Sequence, residues 1–302
     1  MTNDVLISGS SNKLLAQAVS NKADINLSEV ELEEFANREI RLRVLGDVKG
    51  KCVYILQSTN YPAERNIIEL CLLADAVKRA GALKIITFIP WLGYSPQDKV
   101  FRDGEPLSSE VIIKVLESAP IDQFVTLDVH SKLVLKMFKK SVKHLSAMDV
   151  FIEHFKEKLD DSWCSVSLDN GALDRANLFA KVLNLEISKF DKTRDRKTGE
   201  VTFHKLEGDV NGRNVITFDD YVSTGGTTVK SCEFLKKQGA KKCIYCITHF
   251  IVPETFKKVE ESSIDQMVIT DSIDWSSESI PGNIKILSID SLIADYIRND
   301  SN

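Results

Sequence analysis

Positive charge is not in excess in this sequence: 39 Lys and Arg stand against 44 Asp and Glu, for a formal net charge of −5. That excludes a nucleic-acid binder working through bulk charge, while leaving room for a local basic loop. No apolar stretch approaches the length needed to span a bilayer, so no membrane segment is expected. Residues 1–12 have neither a basic start nor an apolar run, so the expectation is a chain without a signal peptide, working in the cytoplasm. Cysteine is sparse. The six cysteines, at 52, 71, 164, 232, 243 and 246, fall mostly inside apolar runs and read as small buried hydrophobes in a reducing compartment. Cys243 and Cys246 form a CxxC, but within "KKCIYCITHFIV", which reads as a buried strand. An offset of three puts their thiols on opposite faces of a strand, and a second CxxC is missing, both against a zinc or redox site.

What is present suffices for substantial cores. The 302 residues are 43% hydrophobic and 27% charged, in the range of two ordinary soluble domains. The chain also repeats itself. "EIRLRVLGDVKGKCVYILQSTN" at 39–60 is echoed by "EVTFHKLEGDVNGRNVITFDDYV" from 200, and "LADAVKRAGALKIITFIP" at 73–90 by "CEFLKKQGAKKCIYCITHFI" from 232. "IDQFVTLDVHS" at 121–131 returns as "IDQMVITDSID" from 264, and "VKHLSAMDVFIEHF" at 142–155 as "IKILSIDSLIADYI" from 284. Four segments recurring in one order, at offsets of roughly 140–160 residues, indicate two tandem copies of one domain rather than a solenoid. Short β-rich apolar runs alternate with amphipathic helical patterns, such as the stripe Leu70, Leu73, Ala74 and Val77 that leads to Gly81. The expected fold is therefore α/β: two domains, 1–148 and 149–302, each a mainly parallel sheet flanked by helices, with the last helix able to pack on the first domain.

The most informative stretch is "VITFDDYVSTGGTT" at 215–228. A strand pattern runs into Asp219 and Asp220, then a turn of Ser223, Thr224, Gly225, Gly226, Thr227 and Thr228, then a helical pattern. Glycines let successive amides converge on one anion, and a helix N-terminus adds its positive dipole end. Carboxylates make poor phosphate ligands but good acceptors for neutral hydroxyls beside a phosphate. A sugar phosphate has both. The bland alternative is a Gly-rich turn with solvated acids. The first copy has Leu56-Gln57-Ser58 and "TNYPAERN" at the equivalent place, so the sugar-phosphate site is expected in the second copy alone.

Other candidate chemistry carries two readings each. "SKFDKTRDRKTGEVTFHK" at 188–205 is the most basic stretch; it is either a solvated loop or one that closes over phosphates and offsets developing charge. Asp169 in "SLDNGALDRA" either caps a helix or binds a metal or hydroxyl. His130 at the end of "FVTLDVH" is either a structural hydrogen bonder or a metal ligand. "GYSPQDKVFRDGEPLSSEVI" at 93–112 is an insertion without a counterpart in the second copy, a plain surface loop or a functional one.

Taken together, "FANREI" at 35–40, "GYSPQDKVFRDGEPLS" at 93–108, "LDVHS" at 127–131, "DNGALDRA" at 169–176, "KTRDRKTGEV" at 192–201 and "DDYVSTGGTT" at 219–228 resemble the ribose-phosphate pyrophosphokinase family, over about residues 4–298. The last motif alone is shared with the wider type I phosphoribosyltransferase fold. The resemblance implies two phosphoribosyltransferase-type domains and Mg²⁺-dependent transfer of a diphosphoryl group from ATP to ribose 5-phosphate. It implies that Asp219 and Asp220 hold the ribose hydroxyls, and Ser223, Thr224, Gly225, Gly226 and Thr227 the 5-phosphate. Phe35, Asn37 and Glu39 would contact the adenine of ATP, with Gln97 and Asp98 beside the nucleotide, His130 and Asp169 on Mg²⁺, and Lys192 and Arg194 on the transferring group. It further implies a homo-oligomer whose nucleotide site lies near a subunit interface. The sequence departs from the family pattern at Pro96, where many members carry arginine, and at "THFIV" (248–252), where a glycine is usual. Two other readings stay open: a catalytically silent regulatory subunit of this family, and a base-specific phosphoribosyltransferase.

Overall fold

The computed structural model describes residues 4–168, 173–194 and 201–300, with 191–194 and 201–205 as backbone. The chain divides into two compact units. The first comprises Met1–Ser146, Asp271–Asp274 and Ser288–Asn302, the second Ala147–Thr270 and Trp275–Leu287.

The first unit runs β1 (Val5–Ser8), α1 (Lys13–Ala23), β2 (Asn26–Ser28), a hairpin of β3 (Val30–Glu34) and β4 (Ile40–Val44), β5 (Cys52–Leu56), α2 (Ala63–Arg79), β6 (Lys84–Ile89), α3 (Ser108–Ser118), β7 (Gln123–Leu127), α4 (Lys132–Met137) and β8 (Ser141–Leu145). Among the described residues its main sheet has the order β2-β1-β5-β6-β7-β8, all neighbours parallel. The second unit runs α5 (Met148–Phe155), β9 (Trp163–Ser167), α6 (Leu173–Leu183), β10 (Glu186–Arg194), β11 (Val201–Glu207), β12 (Asn214–Val222), α7 (Gly226–Lys237), β13 (Lys242–Phe250), α8 (Glu254–Glu260), β14 (Gln266–Thr270) and β15 (Ile284–Leu287). Its sheet has the order β11-β10-β9-β12-β13-β14-β15, parallel except for the β10–β11 pair. The last helix, α9 (Asp290–Asp300), belongs to the first unit.

With β1, β2 and β5 through β8 set against β9, β10 and β12 through β15, the two strand orders are the same. The repeated sequence segments are β4–β5 and β11–β12, α2–β6 and α7–β13, β7 and β14, and β8–α5 and β15–α9. The helices that end the copies are exchanged: α5 follows β8 but is counted in the second unit, and α9 follows β15 but is counted in the first. This differs from a contiguous second domain over 149–302, because the chain re-enters the first unit after Thr270 and again after Leu287.

The cores follow the sequence periodicity. Leu70, Leu73, Ala74 and Val77 of α2 are fully buried, and each large member contributes about 1.5–3 kcal/mol by leaving water. Helix α2 stops at Arg79, and Gly81 takes φ 93° just beyond it. On β13, Cys243 faces the same cluster as Tyr245 and Ile247, whereas Cys246 is buried outside that cluster, as strand alternation requires. Burial pushes the Cys52 and Cys164 thiols up to about 11, so they are inert hydrophobes.

Both sheets have a switch point, where consecutive connections leave in opposite directions: between β1 and β5 in the first unit, and between β9 and β12 in the second. Ligands of open parallel sheets bind at the carboxyl ends of the strands at that place. In the first unit it is filled from within. Glu69, fully buried on α2, accepts the Ser10 amide at 2.5 Å and the Ser10 hydroxyl at 2.6 Å, and Gln57 Oε1 accepts the Ser11 amide at 3.1 Å. The packing is tight enough that a Cβ on Gly9 would stand 2.1 Å from Gln57 Oε1.

Candidate active site

In the second unit β12 runs past its neighbour at the switch point. The β12–β9 ladder ends at Thr217–Val166, whereas the β12–β13 ladder continues to Val222–Phe250. Residues 218–222 therefore run on beyond the described ladder with β9. Phe218 anchors this extension in the core, with Phe179 at 4.3 Å and Phe151 at 6.0 Å between ring centroids. Asp219 and Asp220 follow at once.

The turn after β12 is shaped by α8. Thr255 Oγ1 donates to the Ser223 carbonyl at 2.5 Å, and Lys258 Nζ to the Thr224 carbonyl at 2.6 Å. A trans peptide points its carbonyl and its N–H in opposite directions. Holding those two carbonyls toward α8 therefore aims the amides of Thr224 and Gly225 away from it. Gly225 is the N-cap of α7, in the left-handed region at φ 69°. Its missing Cβ would stand 2.8 Å from Thr255 Cγ2, so the approach of α8 also requires glycine. The first turn of α7 bears no acidic residue and adds amides that lack i−4 partners. Oriented turn amides, first-turn amides and the hydroxyls of Ser223, Thr224 and Thr227 are the donors from which an anion cradle can be built.

The acids are paired with a cation that sequence reasoning did not select. Arg175, in the first turn of α6, brings Nη2 to 3.3 Å from Asp220 Oδ1 and 3.6 Å from Asp219 Oδ1. Asp219 Oδ1 also accepts the Asp220 amide at 3.0 Å. Arg175 stands inside the quoted "DNGALDRA", but no local pattern says that this turn meets the end of β12. Thr255 and Lys258, about thirty residues downstream, carry no such signal either.

Lys192 and Arg194 are described as backbone. Strand β10 pairs with β9 only as far as Lys189–Ser167, then continues against β11 to Arg194–Val201 with a register shift between Asp191 and Lys192. A two-stranded ribbon carrying both residues thus runs beyond the carboxyl edge of its own sheet. Asp169 lies outside the described residues.

In the first unit, the hairpin tip is closed by Phe35 N–H to the Glu39 carbonyl at 2.9 Å and Glu39 N–H to Asn37 Oδ1 at 3.2 Å. Asn37 thus shapes the turn, while Phe35 is 50% exposed with the Arg41 guanidinium 5.9 Å from its ring centre. Arg65 on α2 holds the hairpin through Glu34 at 2.9 Å. Gln97 and Asp98 lie in the loop after β6. Ser108 Oγ donates to Gln97 Oε1 at 2.6 Å. His130 is exposed after β7, beyond Asp128, which takes φ 35°, and Val129, whose amide donates to His144 Nε2 at 3.0 Å.

Among the described residues no three His, Cys, Asp or Glu side chains gather into a metal cage. No helix among the described residues is long and apolar enough to cross a membrane.

An α/β protein with an anion cradle and an acid pair at a sheet switch point belongs to the class that handles phosphorylated, hydroxyl-bearing small molecules. The comparisons narrow the class. Residues 5–119 match the family described as the N-terminal domain of ribose phosphate pyrophosphokinase, and residues 185–302 the phosphoribosyl synthetase-associated domain. The chain is 32% identical over 300 residues to the ribose-phosphate pyrophosphokinase of Fusobacterium nucleatum, covering 98% of this chain and 95% of that one. It is 34% identical over 294 residues to the enzyme of the same name from Campylobacter jejuni, covering 97% and 94%. The crystal structure of phosphoribosylpyrophosphate synthetase from Mycobacterium smegmatis superposes with a TM-score of 0.89 at 28% identity over 99% of both chains. The chain belongs to the ribose-phosphate pyrophosphokinase family.

Proposed function

We propose that this chain is a ribose-phosphate diphosphokinase. The anomeric hydroxyl of ribose 5-phosphate attacks the β-phosphorus of ATP. The new O–P bond forms as the bond from that phosphorus to the bridging oxygen breaks, and AMP leaves with that oxygen. The observation that carries this reading is the turn after β12 at the switch point of the second unit, with oriented amides for a phosphate and two carboxylates for adjacent hydroxyls. The cradle takes the 5-phosphate through Ser223, Thr224, Gly225, Gly226 and Thr227. Asp219 and Asp220 accept from the ribose hydroxyls and fix the ring.

For the nucleotide, the exposed ring of Phe35 offers a stacking face, Asn37 and Glu39 edge groups, and Gln97 and Asp98 polar contacts. His130 and Asp169 would hold Mg²⁺, which when bound on the phosphates withdraws negative charge. Lys192 and Arg194 act on the charge that develops during transfer, because phosphoryl chemistry is mainly alignment plus charge neutralisation. Lys192→Ala is expected to lower turnover about a thousandfold or more with little change in ribose 5-phosphate affinity. Equal turnover would refute the assignment. We place the enzyme in the cytoplasm as a homo-oligomer with its nucleotide site near a subunit interface, its two phosphoribosyltransferase-type domains being the two sequence copies, 1–148 and 149–302, with the segments after Thr270 and Leu287 completing the first.

Pro96 favours a second reading, a silent regulatory subunit, since proline supplies neither charge nor donor where it stands beside Gln97. Purified protein incubated with ATP, Mg²⁺ and ribose 5-phosphate decides between the two. AMP appearing only with the sugar phosphate establishes the diphosphokinase. No AMP at any metal or phosphate concentration points to the regulatory subunit, and consumption of phosphoribosyl pyrophosphate with a nucleobase points to a phosphoribosyltransferase.

A further inference from the structure

The turn that would receive the phosphate, residues 223–228, holds no lysine or arginine. Its own donors are amides and hydroxyls, and the start of α7 adds only the partial charge of a helix dipole. A full positive charge stands one peptide behind it. Lys258 of α8 donates from its ammonium to the Thr224 carbonyl at 2.6 Å. Glu254 lies one helical turn earlier, the spacing at which glutamate and lysine normally pair. Yet the ion pair within α8 joins Lys257 to Glu261, and among the described residues Lys258 pairs with no carboxylate. Thr255, 2% exposed, gives its hydroxyl to the preceding carbonyl, that of Ser223, at 2.5 Å. Helix α8 is fixed in place for both contacts. Phe256 stacks on Phe250 with 4.3 Å between ring centroids and 12° between planes, and Phe250 pairs with Val222, the residue just before the turn. The stem of Lys258 passes over Gly225, its Cδ 3.6 Å from where a Cβ there would stand.

We infer that Thr255 and Lys258 are positioning residues of the phosphate site, and that Lys258 supplies it with positive charge through the backbone. The inference rests on the sugar-phosphate reading above. A donor on a carbonyl polarises the whole peptide, so the N–H at its other end becomes a stronger donor. Thr255 does this for the peptide between Ser223 and Thr224. Lys258 does it, with a charge-assisted bond, for the peptide between Thr224 and Gly225. The two amides strengthened in this way are the two that point away from α8. The ammonium also acts on the phosphate directly, because an exposed charge at one peptide's remove lies within the screening length of physiological salt. Helix α8, which contributes no group to the turn itself, thereby sets how strongly the turn holds an anion.

The test uses the full-length protein and three variants, Lys258→Met, Lys258→Arg and Thr255→Val, titrated calorimetrically with ribose 5-phosphate. Lys258→Met is expected to weaken binding about 5- to 30-fold at about 20 mM salt and only about two- to threefold at about 0.5 M, where screening hides the charge in the wild type as well. Lys258→Arg keeps the charge and should stay within about threefold of the wild type. Thr255→Val keeps the shape but takes the hydroxyl from the Ser223 carbonyl, and should weaken binding about 3- to 10-fold at both salt concentrations. In turnover the losses should appear as a raised KM for ribose 5-phosphate, with the KM for ATP within about twofold, a split that a general structural defect would not produce. Wild-type affinity in Lys258→Met overturns the inference. So does a loss that is equal at both salt concentrations, an arginine variant no better than the methionine one, or parallel rises in both KM values. Should Thr255→Val not fold, the two variants at the exposed Lys258 carry the test. A wild-type protein that binds no ribose 5-phosphate sinks the substrate reading instead. Titration of the same proteins with inorganic phosphate then decides the role of α8 alone: a salt-sensitive loss in Lys258→Met upholds it, and indifference to the substitution overturns it.

Discussion

At the residue scale, the adjacent glycines of the cradle have different reasons to be there. Gly225 needs a left-handed conformation, and a Cβ there would collide with Thr255 of α8. Gly226 begins the helix with nothing within 4 Å of where its Cβ would be. Gly225→Ala is therefore expected to cost about 1–3 kcal/mol from strain and clash, with loss of sugar-phosphate binding as the turn shifts. Gly226→Ala is expected to be neutral or stabilising by up to about 1 kcal/mol, because alanine restricts the unfolded chain. Urea unfolding of the two variants checks this, and equal losses would refute the distinction. The cradle and the acids were legible because they form one contiguous string with the chemistry in their side chains. Arg175, Thr255 and Lys258 were not, because they reach the turn from other helices and look like ordinary surface residues in sequence. Asn37 also has a local role that the motif does not carry: its side-chain oxygen accepts the Glu39 amide and closes the hairpin tip.

At the element scale, the two halves of the duplication use one framework in opposite ways. Comparing β5 with β12 in sequence shows that the first copy lacks the acids and glycines. It does not show what replaces them. Glu69 lies mid-helix, where a glutamate normally reads as solvated, and its partner Ser10 is 59 positions away. Only the folded chain reveals a carboxyl group aimed into the β1–α1 turn, as a protein-borne counterpart of an anionic ligand. Glu69→Ala should then remove the shared acceptor of the Ser10 amide and hydroxyl, whose donors water can partly reach because Ser10 is exposed, at about 1–3 kcal/mol. Urea denaturation of the variant gives the answer: an unchanged midpoint would mean that the turn holds its shape without Glu69. The strand order itself was within reach of the sequence, since alternating β and α patterns with right-handed crossovers leave few topologies. The exchange of α5 and α9 was less so, because a helix's amphipathic stripe does not say which sheet it covers.

At the scale of the whole molecule, the chain returns to the first unit through Asp271–Asp274, and Asp271 helps to secure the return, beside Ser272, whose carbonyl accepts the Ser58 hydroxyl at 2.6 Å. The Asp271 carbonyl accepts from Asn12 Nδ2 at 2.7 Å, and its carboxylate accepts the Ile289 amide at 2.8 Å, so one side chain ties together two of the segments that complete the unit. Burial pushes its pKa up to about 6, against the lowering effect of hydrogen bonds from Ser288 and Ile289. An acid whose folded pKa is raised binds its proton more tightly folded than unfolded. Its contribution to stability is therefore full below the ordinary value near 3.8 and declines as pH rises to about 6. The rise corresponds to roughly 3 kcal/mol on the scale of 1.36 kcal/mol per pH unit. Asp271→Asn keeps the acceptor for Ile289 but cannot ionise. Measured by urea unfolding across pH 4 to 7, the variant should therefore gain stability relative to the native chain as pH rises, by up to that amount, and level off above about pH 7. A difference that is flat with pH, or that runs the other way, would show that the buried Asp271 carboxylate is stabilised where it stands and that the return of the chain is secured without an electrostatic cost.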